Sequence, residues 1–212
     1  MTMDRLQSYL HEVHPRLNED ELLQEMEHHA FEHHVPIIDL ESARFLQQLI
    51  ALQGVTRILE LGSAIGYSAI TMAHAAANGT VTTFERDETR IQDARTFLQK
   101  SVTKDQIQLI EGDAFERIEE LQGSYDFLFV DASKGHNIRF VETFSPYLKR
   151  GGLMVVDNVL FKGWTYEPSE APKRLQPLAK KMASFNEWLL KHPQFMTTIH
   201  PIGDGMAVAI KQ

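Results

Sequence analysis

Arg57-Ile-Leu-Glu-Leu-Gly-Ser-Ala-Ile-Gly-Tyr-Ser68 passes from a short apolar run, through two glycines, directly into a helical pattern. Glycine at 62 and 66 lets the chain turn tightly and approach a ligand closely, and the helix that follows presents unpaired N–H groups at its start. A dinucleotide loop normally reads Gly-x-Gly-x-x-Gly, with the middle glycine against a pyrophosphate, but here position 64 is Ala. Glu60, at the strand end, would also repel a phosphate. The loop therefore suits a nucleoside cofactor without phosphates.

Outward from this stretch, β-rich runs at 55–61, 80–84, 107–110, 125–130 and 152–156 alternate with helical patterns at 67–77, 88–101, 114–121 and 137–148. Such alternation predicts a parallel sheet with crossover helices, a doubly wound Rossmann-like α/β fold. Ahead of it the pattern predicts helices at about 3–13, at 18–34 opened by Asn18 as cap, and at 39–53 ended by Gly54, so that residues 1–54 form a helical cap region. Behind it come a helix at about 172–191 and a terminal antiparallel hairpin, 195–200 and 206–211, around Gly203-Asp-Gly205. No repeat or linker interrupts the 212 residues, which read as one domain.

Ligands of open α/β sheets sit at the carboxyl ends of the strands. Glu85 closes one run, where a carboxylate accepts both ribose hydroxyls, and Asp113 in Gly112-Asp-Ala114 is placed to accept from an adenine amino group. With Glu60 available to an ammonium, this set fits S-adenosylmethionine. Two further strand ends carry Asp131 and the doublet Asp157-Asn158, two carboxylates and an amide carbonyl. Hard oxygen donors of this kind favour Mg2+, with Mn2+ or Ca2+ as alternatives, whereas singly such residues often only cap turns. Lys134, three residues beyond Asp131, is positioned as a general base if the nearby cation lowers its pKa.

The formal charge is −8, yet residues 162–191 hold six basic and three acidic side chains. Two readings stay open for that segment: a solvated helix, or a docking patch for a phosphate backbone. Residues 1–34 hold six of the ten histidines, with His29 and His33 at the i,i+4 spacing of a helical metal site but no evident third ligand. Trp164 and Tyr166 beside Lys162 suit either base stacking or lid packing, and Phe185 and Trp188 read as core. The chain has no cysteine, no run of membrane-spanning length and no secretory pattern at Met1-Thr-Met-Asp-Arg-Leu6, which together predict a cytoplasmic protein with no membrane contact. A homodimer is the expected assembly.

The ordered set Glu60-Leu-Gly62, Gly66-Tyr-Ser68, Glu85, Gly112-Asp-Ala114, Asp131-Ala-Ser-Lys134 and Asp157-Asn158 resembles the cation-dependent catechol and caffeoyl-CoA O-methyltransferase family over nearly the whole chain. That resemblance implies a methyltransferase domain using S-adenosylmethionine. Glu85 would hold the ribose, residues around Ile37 and Ser68 would touch the cofactor, Asp131, Asp157 and Asn158 would hold the metal, and Lys134 would be the base. Within the family, residues 32–37, 157–163 and 186–193 are most similar to bacterial tRNA 5-hydroxyuridine methyltransferases, which implies a tRNA anticodon loop as substrate and 5-methoxyuridine as product. The 5-hydroxyl and 4-carbonyl of that base are vicinal oxygens that chelate one metal as a catechol does, and a wobble base is unstacked and accessible. The alternatives are O-methylation of small catechols and, outside enzymes, an RNA-binding scaffold without turnover.

Overall fold

The computed structural model describes Tyr9, Val13 and residues 20–131 and 135–212. Helix α1 (Glu21–His33) begins at Asp20, whose side chain accepts from the Leu22 N–H at 3.0 Å, rather than at residue 18. A carboxylate immediately before the first turn satisfies an orphan donor and lies at the positive end of the helix dipole. Asn18 and most of the helix expected at 3–13 lie outside the described residues. Helix α2 (Leu40–Gln53) is capped by Asp39 and stops at Gly54, whose φ of 63° places it in the left-handed region that glycine adopts without strain.

From there strands and helices alternate: β1 (Arg57–Leu61), α3 (Tyr67–Ala75), β2 (Thr80–Glu85), α4 (Glu88–Lys100), β3 (Ile107–Glu111), β4 (Tyr125–Val130), α5 (Asn137–Phe144) and β5 (Leu148–Val156). The helix expected at 114–121 is absent. In its place are turns with i→i+3 backbone bonds and a 3₁₀ turn at Ile118–Glu120, because Asp113 spends its side chain on the Phe115 N–H and so closes a local turn. Helix α5 stops at Phe144, not 148, because Pro146 has no N–H to continue the ladder. Strand β5 starts earlier than expected, at Leu148, through an irregularity opposite Tyr125 and Phe127. Helix α6 (Gln176–Leu190) starts four residues late, with Pro177 in its first turn, and β6 (Phe195–His200) and β7 (Met206–Lys211) form the expected hairpin.

The seven strands lie in the order β3-β2-β1-β4-β5-β7-β6. The first five are parallel, and β7 inserts antiparallel between β5 and β6. Alternate residues of the central strands feed opposite faces. Leu128 and Val130 pack with α5 and α6 (Phe140, Phe144, Met182, Phe185), while Phe127 and Phe129 pack with α1 to α4 (Met26, Leu46, Ile70, Phe97). Two apolar layers thus clamp the sheet, and the order in which strands are added reverses between β1 and β4, where a crevice opens at the carboxyl ends.

Candidate active site

A cavity of about 750 Å³ occupies that crevice. Its floor is the β1–α3 loop, where the Gly62 and Ser63 N–H groups both donate to the Phe84 carbonyl at 3.0 Å. Ala64 takes a left-handed backbone, φ 47°, and donates its N–H to Glu85 Oε2 at 2.8 Å. Glu85 Oε1 accepts the N–H groups of Arg86 and Asp87 at 2.8 and 2.9 Å, so three backbone donors fix this carboxylate at the cavity wall. A carboxylate held this way keeps lone pairs for two hydroxyls of a ligand.

Of the residues picked out by sequence, Ile37, Gly62, Glu85, Asp113, Ala114, Asp131, Asp157 and Asn158 line the cavity. Glu60, Gly66 and Ser68 do not. Gly66 has a φ of 89°, and a Cβ there would meet Leu98 at 3.3 Å, so its glycine serves the turn and the packing of α4. Glu60 is fully buried behind the loop. Neither of its oxygens has a hydrogen-bond partner in good geometry, although the hydroxyls of Ser68 and Thr83 are near enough to ease the charge. Burial pushes its carboxyl up to about 7 from an ordinary 4.5, with Ser68 and Thr83 opposing and Glu85 adding repulsion. Lys134 lies outside the described residues.

The strand ends of β4 and β5 bring the oxygen donors together. The Asp131 N–H donates to Leu61 O and the Asp157 N–H to Val130 O, both at 3.1 Å, which keeps the two strand ends level. Asn158 turns back with φ 61°, its N–H 2.6 Å from Asp157 Oδ1 and its Nδ2 3.3 Å from Asp131 Oδ1. Among the described residues no group of three His, Cys, Asp or Glu side chains has metal-holding geometry, so the donor set here is two carboxylates and one amide. Among the described residues the N-terminal histidines gather no such group either: His29 Nε2 meets Asp93 Oδ2 at 3.2 Å, and its ring packs on His33 and Phe97.

Sequence reasoning missed the rest of the lining. Arg86 pairs with Asp113 at 3.0 Å, so the Asp113 carboxylate assigned to adenine already has a cationic partner. Arg139 stands 3.9 Å over the Phe115 ring, and both belong to the cavity wall with Arg90 and His136. Asp204, from the hairpin turn, closes the other side; its carboxylate accepts the Lys162 N–H and its carbonyl accepts the Leu160 N–H at 2.9 Å. Periodicity marks only the apolar face of a helix, so polar residues projecting from α5 and the hairpin into a distant crevice carried no signal.

Comparison with known proteins agrees with this geometry. A caffeoyl-CoA O-methyltransferase of Populus kitakamiensis is 27% identical, the match covering 97% of this chain and 92% of the relative. The crystal structure of a Staphylococcus aureus protein provisionally named a caffeoyl-CoA O-methyltransferase superposes with a TM-score of 0.91 at 36% identity, over 99% of this chain and all of the other. The fold is also that of a Bacillus cereus O-methyltransferase crystallised with SAH, with a TM-score of 0.83 at 24% identity over 98% and 97% of the two chains. The family model described as O-methyltransferase matches residues 13–212. This chain belongs to the O-methyltransferase family.

Proposed function

We propose that the chain transfers a methyl group from S-adenosylmethionine to one of two adjacent oxygens of an acceptor, assisted by a divalent cation. The observation that carries this reading is the convergence of Asp131, Asp157 and Asn158 at one wall of a cavity whose opposite wall holds Glu85, Asp113 and Ala114. The Bacillus cereus neighbour bound to SAH supports the choice of cofactor. When bound, the cofactor would supply an electrophilic methyl, and Mg2+ or a similar ion would hold both acceptor oxygens and make the attacking hydroxyl more acidic.

The chain's own residues orient and neutralise. Glu85 would receive the ribose hydroxyls, Ala114 and Ile37 would close on the nucleoside, and Asp131, Asp157 and Asn158 would be the oxygen donors for the ion, all of them residues of the cavity lining. We assign Lys134, by its place three residues after Asp131, as the group that would take the proton of the acceptor hydroxyl as that oxygen is methylated. Glu60 and Ser68 support the loop from behind rather than contacting the nucleoside.

For the acceptor, the caffeoyl-CoA enzymes among the relatives favour a catechol-type compound. A second reading, 5-hydroxyuridine in a tRNA anticodon loop giving 5-methoxyuridine, draws on the exposed Lys162, Lys173, Arg174, Lys180 and Lys181 rather than on the cavity, whose lining carries more carboxylates than arginines. One experiment separates them: kcat/KM measured side by side with a catechol and with tRNA bearing 5-hydroxyuridine, each with and without chelator. A catechol-only enzyme removes the tRNA reading, and turnover of either that survives full chelation removes the cation.

A further inference from the structure

Several surface cations of this protein are tied: Arg86 to Asp113, Arg95 to Glu111, Lys100 to Glu25, Arg117 to Glu120, Lys149 to Asp126 and Lys191 to Glu187, whereas among the described residues Lys104 and Arg150 stand exposed without such a pair, each apart from other unpaired cations in the sequence. Among the described residues no such pair engages Lys162, Lys173, Arg174, Lys180 or Lys181, and all five side chains are exposed. Unpaired cations gathered on one segment of a chain with net charge −8 create a local positive field against the global one.

None of these five lines the cavity, but the loop and the helix that carry Lys162, Lys180 and Lys181 are bonded to its wall. Lys162 follows Asn158 by four positions, and the loop between them is stitched to Asp204 and Gly205 by the Leu160 and Val159 N–H groups at 2.9 Å. Helix α6 is anchored to that loop by Asn186 Nδ2, 2.8 Å from the Val159 carbonyl. Its Met182, next to Lys181, meets Asn137 Nδ2 at 3.6 Å, and Asn137 adjoins the cavity residue His136. Between the two basic groups, Tyr166 is 92% exposed although its own N–H is bonded to the Gly163 carbonyl, and Trp164 lies under the Lys162 ammonium at 5.9 Å. Cations flanking aromatic rings on a fixed loop form the combination that takes phosphates and unstacked bases together.

We propose that Lys162, Tyr166 and the 173–181 segment form a docking surface for the phosphate backbone of an RNA whose target base enters the cavity; this rests on the tRNA reading above. The exposed positions of α6 argue against a lipid surface, since Lys180, Lys181, Ser184 and Glu187 leave Leu190 as the one large exposed apolar side chain of that helix. A membrane-lying helix needs a continuous apolar face.

The test uses the full chain, an anticodon stem-loop RNA and a catechol. The parent should bind the RNA with an affinity that falls steeply with salt. The variant with Lys173, Arg174, Lys180 and Lys181 all changed to Ala should bind roughly 10–100-fold more weakly at about 0.1 M salt, with a slope shallower by about 3 for four lost phosphate contacts. Tyr166→Ala should weaken binding and leave the slope unchanged, and catechol turnover should stay within about twofold of the parent in both variants. A parent that methylates catechol but binds RNA no better than heparin, or a fourfold variant that binds RNA like the parent, overturns the docking surface and leaves methyl transfer standing. A parent with salt-dependent RNA binding but no turnover of either acceptor overturns the proposed function instead.

Discussion

Asn158 Nδ2 stands 3.3 Å from Asp131 Oδ1 across the seam between β4 and β5, although 27 positions separate the two residues. An amide presents a carbonyl oxygen at nearly the same point when its end group is turned over, so the same approach serves as a hydrogen bond or as two donors to one cation. With Asp157 accepting the Asn158 N–H, the three side chains have little freedom to separate. Replacing Asp157 with Ala should lower turnover roughly 10²-fold or more and leave SAH affinity by calorimetry within a few-fold of the parent. Chelation should reproduce the loss and Mg2+ should reverse it. A chelated enzyme at its normal rate would show the cation assignment to be wrong.

Glu85 makes a different prediction, because its carboxylate holds three backbone N–H groups as well as the proposed ribose site. Glu85→Ala should weaken SAH binding by roughly 10–100-fold, the scale of hydrogen bonds to a charged acceptor. Glu85→Gln, which keeps an acceptor oxygen, should recover part of that. If calorimetry finds the alanine variant unchanged, the nucleoside does not lie against β2.

Lys134→Ala should cut kcat by about 10²–10⁴-fold with little change in KM, the signature of a group that matters to proton transfer rather than to binding. Raising the pH should restore part of the rate as the acceptor hydroxyl ionises without help. A pH–rate profile parallel to that of the parent would remove Lys134 as the base.

Glu60 predicts a pH effect on stability. Its folded value is raised to about 7 by burial, above the ordinary 4.5. Below pH 4.5 the group is protonated in both states and costs nothing. As pH rises toward 7 the unfolded chain releases the proton while the folded chain keeps it, so stability falls, and above 7 the full penalty persists. Glu60→Gln should therefore be stabilising at neutral pH by up to the order of 3 kcal/mol and neutral near pH 4. Urea unfolding at the two pH values measures the difference, and equal midpoint shifts at both would contradict it.

The sheet was legible in sequence because β1, β2, β3 and β4 are short apolar runs with turn residues at both ends, and because ligands follow strand ends: Asp131, Asp157, Asn158 and Glu85 all reached the cavity. Glu60 and Ser68 are buried and do not line the cavity, because a residue one position back along a strand, or near the start of a helix, can point into the core instead of the crevice, and spacing alone does not say which. The 114–121 segment has helical residues, but Asp113 competes for the first backbone donor, and Leu121 and Ala114 are its only buried apolar side chains. Arg139 and His136 were invisible because the cavity they line, and the Phe115 ring beneath Arg139, are built by other crossovers.

The loop that follows the Asp157-Asn158 doublet is held by Asp204 and Gly205, residues that a ribosome adds only after all five parallel strands. A nascent chain with the central sheet complete still lacks the backbone that fixes the loop and the β7 strand that covers β5. Domains begin folding during synthesis from the N-terminal side, so the cavity wall at β1 and β2 can form early while the wall at Asp157 and Asn158 waits for the hairpin. Completion of the cavity is thereby tied to the emergence of 204–211, and a chain stalled short of it would lack Asp204 from the lining and the backbone that holds Val159 and Leu160.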